Sequence, residues 1–457
     1  MALPLLFLDT IAAIATAVAP GQGGIAVIRV SGPHARATAA AVVSGTGQQS
    51  WASHRILYGH VLDDSGTHRL DEVLLLLMWA PRSFTGEDVV EIHCHGGVIV
   101  VQQVLERVLQ QPGVRLALPG EFSQRAVLNG RLDLTRAEAV SDLVAARSRR
   151  AAELAMAGLD GGIQERMTTL RERLLDQLTE LEARVDFEED LPRLDASALL
   201  LEIEAVRSDL LQLVMDGERG AALRRGLRVA LVGCPNVGKS SLLNRLSRRE
   251  RAIVTDRPGT TRDLLESEIV LKGVPITLLD TAGFRSTDDA VEQLGIARSE
   301  QALASADVVL LIIDGHQGWT TADAALLERI PVGLPRLIVA NKGDLPSAVI
   351  PEDVVIDVQL SALHGAGEDC LIHALLQVCG AGEANSVLLA LNERQRDLAM
   401  AAAEALARSQ EVAAQQLPWD FWTIDLREAI RALGEITGEA LSEAVLDRVF
   451  SRFCIGK

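Results

Sequence analysis

Residues 229–244 read VALVGCPNVGKSSLLN, and the fold turns on this stretch. A strand-length apolar run, a glycine-bounded loop and a helix-forming segment follow one another. G-x-x-x-x-G-K-S fills the loop, in the strand-to-helix context that a phosphate-binding loop requires. Gly233 and Gly238 let the backbone curl so that its N–H groups face phosphates. Lys239 is expected to reach the β- and γ-phosphates, and Ser240 to bind Mg²⁺. Asn236, Val237 and Ser241 complete the expected cradle.

Three further segments follow in the order a GTP-binding domain needs. DTAG (280–283) comes after the strand PITLLD. Asp280 is expected to hold Mg²⁺ through water and the Gly283 N–H to sense the γ-phosphate, with Thr281 and Ala282 between them. NKGD (341–344) comes after the strand PRLIVA. The Asp344 carboxylate can accept from both guanine donors, N1–H and the exocyclic amine. Adenine offers no such pair, so the loop that holds Asn341, Lys342 and Asp344 selects GTP over ATP. Ser361, Ala362 and Leu363 end another strand and are expected to support the base. Thr261, in PGTTRD, is the candidate switch threonine for Mg²⁺.

Ras-type enzymes orient the attacking water with a glutamine just after the DxxG glycine. Phe284 occupies that position here and cannot hydrogen-bond water. No arginine finger is evident in cis, although Arg257 and Arg262 flank the switch. The acidic run DDAVEQ (288–293) offers a carboxylate, and Asn236 offers an oxygen to a monovalent cation beside the phosphates. A slow switch awaiting a partner's catalytic group stays open as the alternative.

The chain has 457 residues, enough for two to four domains. Aromatics are only 3% of a chain that is 48% apolar, and abundant Ala and Leu favour helices. A net charge of -18 argues against a surface coated for bulk nucleic-acid binding but allows a local basic patch. Five scattered cysteines suggest a reduced, cytoplasmic protein. MALPLLFLDTIAAIATAVA lacks a basic leading region and is interrupted by Asp9, so it reads as folded structure rather than a secretion signal. No stretch approaches the ~18 apolar residues of a membrane span.

Three textures divide the chain. Residues 1–124 mix short apolar runs with turn residues, as in GIAVIRVSG and DEVLLLLMWAP, and are expected to form an α+β domain. Residues 125–223 turn helical. LTRAE offers a capping box with Thr135 as N-cap and Glu138 three residues on. Ile163, Met167, Leu170, Leu174, Leu178, Leu181 and Val185 then recur every three or four residues, one apolar stripe on a long helix. Ile203, Val206, Leu210 and Leu213 mark another. Residues 224–380 alternate strands and helices, as a Ras-like α/β P-loop domain does. Residues 381–457 return to helical periodicity and end in CIGK. A helical domain interrupted by the nucleotide domain is the economical reading, because neither helical half has a way to bury its stripe alone.

DTIAAIATAVAPGQGGIAVIRVSG (9–32), SFTGEDVVEIHCHGG (83–97), PGEFSQRAVLNGRLDLTRAEAV (119–140) and the terminal FCIGK join the nucleotide motifs in one chain. Over its full length the sequence resembles the MnmE (TrmE) family of tRNA modification GTPases. Many GTPases share the P-loop, whereas the N-terminal blocks and the CIGK end are specific to this family. The resemblance implies an N-terminal domain that binds 5-formyl- or methylene-tetrahydrofolate and mediates a constitutive homodimer. It implies GTP hydrolysis through potassium-dependent pairing of G domains. It further implies action with the flavoprotein MnmG, as a heterotetramer, on C5 of the wobble uridine of certain tRNAs. By motif match, Arg29, Glu91 and Arg131 contact the folate together with Lys457. Asn236, Thr255, Thr260 and the Arg257 carbonyl ligate potassium, in a loop shared with Asp256, Pro258 and Gly259. Glu292 orients the attacking water. Arg131 stands where some members carry Lys, a planar fork in place of a point charge.

The terminal thiol acquires a reading in this context. Thiols are the best side-chain nucleophiles near neutral pH. A tail folded back to the folate pocket puts Cys454 near the one-carbon unit and Lys457 near the ligand; a frayed end is the alternative. HCHGG (93–97) is weak as a metal site, since His93 and His95 share a strand face with no third ligand nearby. The basic clusters at 147–150, 224–228 and 245–251 read as solvated helix faces or a local tRNA track. Two other functions compete. A ribosome-assembly GTPase would need an RNA-binding module after the G domain, such as a KH domain with its GXXG loop, which 383–457 does not show. A folate-dependent aminomethyl transferase would transfer its unit without GTP or tRNA.

Overall fold

The computed structural model describes residues 8–21, 23–187, 195–249, 266–280, 302–382, 387–415, 417–439 and 443–456. Two compact units emerge: Met1–Ser141 with Thr437–Lys457, and Asp142–Ile436.

The first unit is built on β1 (Thr10–Ile14), β2 (Ile25–Ser31), α1 (Ala35–Val42), β3 (Val43–Ser44), β4 (Arg55–Leu62), β5 (Arg69–Met78), β6 (Val89–His95), α2 (Val98–Leu109), β7 (Val114–Leu116), α3 (Glu121–Leu128) and the start of α4 (Leu134–Ala145). Its seven-stranded sheet runs β3-β4-β5-β6-β2-β1-β7. All neighbours pair antiparallel except β1 and β7. Strand alternation sends Ala26, Ile28 and Val30, Val73, Leu75 and Leu77, and Val90, Ile92 and Cys94 to one face, where they pack on Ala35 and Ala39 of α1 and Val101, Val104 and Val108 of α2. Arg29, Glu91 and His93 therefore lie on the other face.

The helix after DL begins differently from the sequence expectation. Leu134 already opens α4, and the Asp133 carboxylate accepts from both the Arg136 N–H (2.9 Å) and the Thr135 hydroxyl (2.6 Å). A carboxylate two residues earlier outcompetes a hydroxyl for the free amides and also favours the positive helix end. Thr135 thus sits in the first turn and is not the cap.

The second unit holds α5 (Arg149–Leu159), α6 (Gly162–Phe187), α7 (Ala196–Arg225), β8 (Leu227–Val232), α8 (Lys239–Arg249), β9 (Glu266–Leu271), β10 (Val274–Asp280), β11 (Val308–Asp314), α9 (Thr321–Arg329), β12 (Arg336–Asn341), β13 (Val358–Gln359), α10 (Glu368–Val378), α11 (Glu393–Ala414) and α12 (Trp419–Thr437). The last helix of the chain, α13 (Glu443–Phe450), returns to the first unit. The expected stripe from Ile163 to Leu181 is buried, as are Ile203, Val206, Leu210 and Leu213. They share one core with Ala399, Ala402 and Leu406 of α11 and Leu426 and Leu433 of α12. Each helical half supplies the surface that buries the other, across the inserted nucleotide domain. That domain is a six-stranded sheet, β13-β12-β11-β8-β10-β9, parallel except at the β9 edge. Its central strands β8 and β11 are near-continuous apolar runs because helices cover both faces.

The chain crosses into and out of this domain at neighbouring points. Arg224, in the last turn of α7, donates to the carbonyls of Ala390 (3.0 Å) and Leu391. Arg150 donates to the Val387 carbonyl at 2.6 Å. A Cβ on Gly220 would overlap that of Ala390, so the returning segment lies directly on α7.

Candidate functional site: a nucleotide cradle and a tail-lined pocket

The phosphate-binding loop leaves the carboxyl end of the central strand β8, the crevice where open α/β sheets bind ligands. A Cβ on Gly238, at φ +100°, would overlap Asn341 Nδ2, so a side chain there would break the contact between the two loops. Asn236 also takes a left-handed backbone, at φ +64°, and is exposed. Val237 is buried in the domain core and Ser240 and Ser241 are exposed, on the first turn of α8. The free amides of that turn favour an anion.

Lys239 Nζ donates to the carbonyls of Gly233 (2.6 Å) and Cys234 (3.0 Å). Burial pulls its pKa below that of an ordinary lysine, and the nearby Asp280 opposes the shift. Burial pushes Asp280 above the ordinary carboxylate range, and Lys239 opposes it. Asp280 Oδ1 is buried and has no hydrogen-bond partner among the described residues. A buried carboxylate oxygen left over near Lys239, with an exposed serine hydroxyl on the same phosphate-binding loop, is an oxygen donor set that suits a water-bridged Mg²⁺.

The base loop is tethered at each side chain. Asn341 Nδ2 donates to the Val237 carbonyl (2.8 Å), while its Oδ1 accepts the Ala362 N–H (2.9 Å). Asp344 accepts the Ser361 hydroxyl at 2.6 Å, and that bond holds its pKa below the ordinary value. Its carboxylate is thereby kept ionised and aimed. Lys342 pairs with Asp314 at 2.6 Å. Leu363 is exposed, and its carbonyl accepts from Arg245 at 3.2 Å. The structure thus brings together the P-loop, Asp280 and the two base loops. Thr255, Asp256, Arg257, Pro258, Gly259, Thr260, Thr261, Thr281, Ala282, Gly283 and Glu292 lie outside the described residues. Asp314 escaped the sequence reading. Its only signal was an acid ending the apolar strand VVLLIID, next to a glycine.

A second assembly occupies the first unit. Arg29 and Glu91 are directly opposite on β2 and β6 and pair at 2.9 Å. The Phe84 and Phe122 rings flank the guanidinium, with centroids 5.3 and 5.6 Å away. Arg29 also donates to the Gly456 carbonyl at 3.2 Å. The terminal segment is docked there by several contacts. Phe450 and Phe453 pack on Leu134 and Ala137. The Gly120 N–H donates to the Cys454 carbonyl at 3.3 Å. Gly456, at φ +96°, lies so close to β1 that a Cβ would overlap the Ile14 carbonyl. The Cys454 thiol is exposed. Arg131 is exposed in the turn after Gly130, and its guanidinium makes no hydrogen bond or ion pair among the described residues. Lys457 lies outside the described residues. Cys94 is buried between the His93 and His95 positions, and no metal-ligand cluster occurs among the described residues.

A P-loop on the central strand with a tethered guanine-reading loop beside it defines a P-loop GTPase. Two sequence models match the chain: the GTP-binding protein TrmE N-terminus over residues 10–131, and the MnmE helical domain over residues 134–454. The tRNA modification GTPase MnmE of Synechococcus sp. (strain CC9605) is 80% identical over 449 residues, covering 98% of this chain and 99% of that one. Its counterpart in Prochlorococcus marinus (strain MIT 9303) is 70% identical over 464 residues, covering 100% of both. The chain belongs to the MnmE family of tRNA modification GTPases. Among solved structures, Aquifex aeolicus Era bound to GDP and aluminium fluoride is 28% identical, covers 39% of this chain and 66% of that one, and has a TM-score of 0.28. So small an overlap adds nothing to the assignment. No helix among the described residues is long and apolar enough to cross a membrane.

Proposed function

We propose that this GTPase acts on tRNA in the cytoplasm with the flavoprotein MnmG. Together they install a carboxymethylaminomethyl or aminomethyl group on C5 of the wobble uridine. Residues 1–124 form the folate-binding and dimerisation domain, 125–223 with 381–457 the helical domain, and 224–380 the G domain. The observation that carries the reading is the docked tail: the Gly456 carbonyl meets Arg29, whose other partner is Glu91, in the same chain as the nucleotide cradle. A one-carbon donor such as 5-formyl- or methylene-tetrahydrofolate suits that pocket. Arg29 and Arg131 offer cations to its carboxylates, Glu91 accepts from its pterin-type N–H groups, and Phe84 offers an apolar wall. Cys454, two residues before the Gly456 contact, is the candidate nucleophile.

At the nucleotide, Lys239 and the first turn of α8 receive the β- and γ-phosphates. Ser240 and Thr261 bind Mg²⁺ directly, and Asp280 does so through water. Potassium, held by Asn236, Thr255, Thr260 and the Arg257 carbonyl, supplies positive charge where other GTPases use an arginine finger. Glu292 orients the water that Phe284 cannot. A homodimer fits the exposed part of the sheet face opposite α1 and α2. Ile25, Ile56, Tyr58 and Leu74 are all exposed on it, a larger apolar patch than a solvated sheet face needs.

Nucleoside mass spectrometry tests the proposal. tRNA from a bacterial strain lacking its own family member is compared with and without this chain, the flavoprotein being present. Restored C5-modified wobble uridine supports the reading. Absence of the modification, with the protein folded and hydrolysing GTP, refutes it.

A further inference from the structure

The loop that reads guanine carries three polar side chains, and a different neighbour ties each one. Asn341 is held by the P-loop and by Ala362, and Asp344 by Ser361. Lys342 is held by Asp314, a residue outside every nucleotide motif of the sequence. Asp314 closes β11 and pairs in register with Asn341 on β12. It is 6% exposed. One carboxylate oxygen accepts the His316 and Gln317 N–H groups at 3.0 and 3.4 Å, and the other accepts Lys342 Nζ at 2.6 Å. The Gly315 N–H bonds the Asn341 carbonyl at 2.8 Å, so the two loops are joined through backbone as well.

Lys342 is a lysine in the left-handed backbone region, at φ +64°. A side chain bearing Cβ is disfavoured there and persists where its surroundings over-determine it. Fixed at Cα by that backbone and at Nζ by Asp314, its four-carbon stem has few rotamers left. A lysine stem held by its head is a flat apolar wall, the surface against which a planar base lies. We propose that Asp314 is a positioning residue for the guanine end of the nucleotide: it holds Lys342 as one wall of the slot whose edge is read by Asp344. The wall touches the base and not the phosphates. It therefore serves GTP and GDP equally and leaves the hydrolytic step alone.

The test uses the full-length protein and Asp314→Asn. The amide keeps an oxygen for the His316 and Gln317 N–H groups and removes only the charge that holds Lys342. Binding of a fluorescent GDP and of a non-hydrolysable GTP analogue is expected to weaken by about tenfold for both, the size of one charge-assisted contact. GDP dissociation should accelerate, while kcat at saturating GTP stays unchanged. Lys342→Met should have a much smaller effect in the Asp314→Asn background than in wild type. Unchanged affinity for both nucleotides, a fall in kcat without a change in affinity, or full additivity of the two substitutions overturns the proposal. Should Asp314→Asn fail to fold, brief acetylation of the unmodified, nucleotide-free protein decides the matter. Lys342 must leave Asp314 to react, so it should label several-fold more slowly than Lys272, which is exposed in the β9–β10 turn. Equal labelling overturns the proposal.

Discussion

The nucleotide cradle and the proposed tail pocket are assembled in opposite ways. The nucleotide cradle is gathered from short contiguous motifs, each at the end of a strand, and parallel pairing brings those ends side by side. The tail pocket is closed by a contact across 427 residues of sequence, between Arg29 and Gly456. A motif whose function is local keeps its spacing and can be read as a string. A contact made by the last residues of a chain leaves no spacing to read. The difference also predicts that the sites can be broken separately.

Lys239→Ala should have the largest effect. Removing the cation at the phosphates is expected to lower GTP turnover by about 10³-fold. Thermal stability should hold, because an ammonium that burial already disfavours is lost. The tail pocket should still bind 5-formyl-tetrahydrofolate. Loss of that binding would mean that the sites are not separable. Gly456→Val attacks the other side. The new side chain meets the Ile14 carbonyl, so the tail should lift, seen as faster hydrogen exchange at 454–456. Folate affinity is expected to fall about tenfold, with steady-state GTP turnover unchanged. Glu91→Gln should be milder. It keeps a hydrogen bond to Arg29 but loses its charge, costing about 1 kcal/mol of stability in chemical denaturation, again without effect on GTP turnover.

Acid should separate the sites by a smaller margin. Burial raises the Asp280 pKa, so this carboxylate takes up its proton above the ordinary range. Its folded-state pKa exceeds the unfolded one, so protonation favours folding while removing the charge that faces Mg²⁺. In the first unit the signs reverse. Burial pushes the Asp9 and Glu121 pKa values up, but Arg115 and Arg125 outweigh it, and both carboxyls end below their ordinary values. Stability from such groups is complete above the unfolded pKa and is lost as pH falls through the folded one. Mg²⁺-dependent nucleotide binding should therefore weaken on acidification before the first unit loses the stability that Asp9 and Glu121 contribute. Parallel titrations by fluorescent GDP and by circular dichroism check the order. Simultaneous loss would contradict it.

The same contrast explains what the sequence made legible. The P-loop, DTAG and NKGD strings were readable because each encodes its own backbone geometry, and the Ile163-to-Leu181 stripe because helical period is local. That residues beyond 390 would help bury the stripe followed from reading the two helical stretches as one interrupted domain, while which residues meet it did not. Arg29 and Glu91 came from family resemblance, since nothing in their spacing marks two residues as cross-strand neighbours. Asp314 was missed for a related reason: its partner Lys342 follows the end of the adjacent strand β12, and β pairing has no one-dimensional signature. Asp133 displaced Thr135 as the cap because two capping residues stood close together and charge favoured the earlier one.

The clasp between the last turn of α7 and the segment 387–391 has an architectural consequence. Arg150 and Arg224 hold the returning segment against α5 and α7, and along that seam Leu154, Ala222 and Leu223 of the host helices enter the core of the nucleotide domain. Beyond that seam, α7 and α11 share a core that contains no residue of the six-stranded sheet. To the host helices, then, the insertion is topologically equivalent to a tight loop.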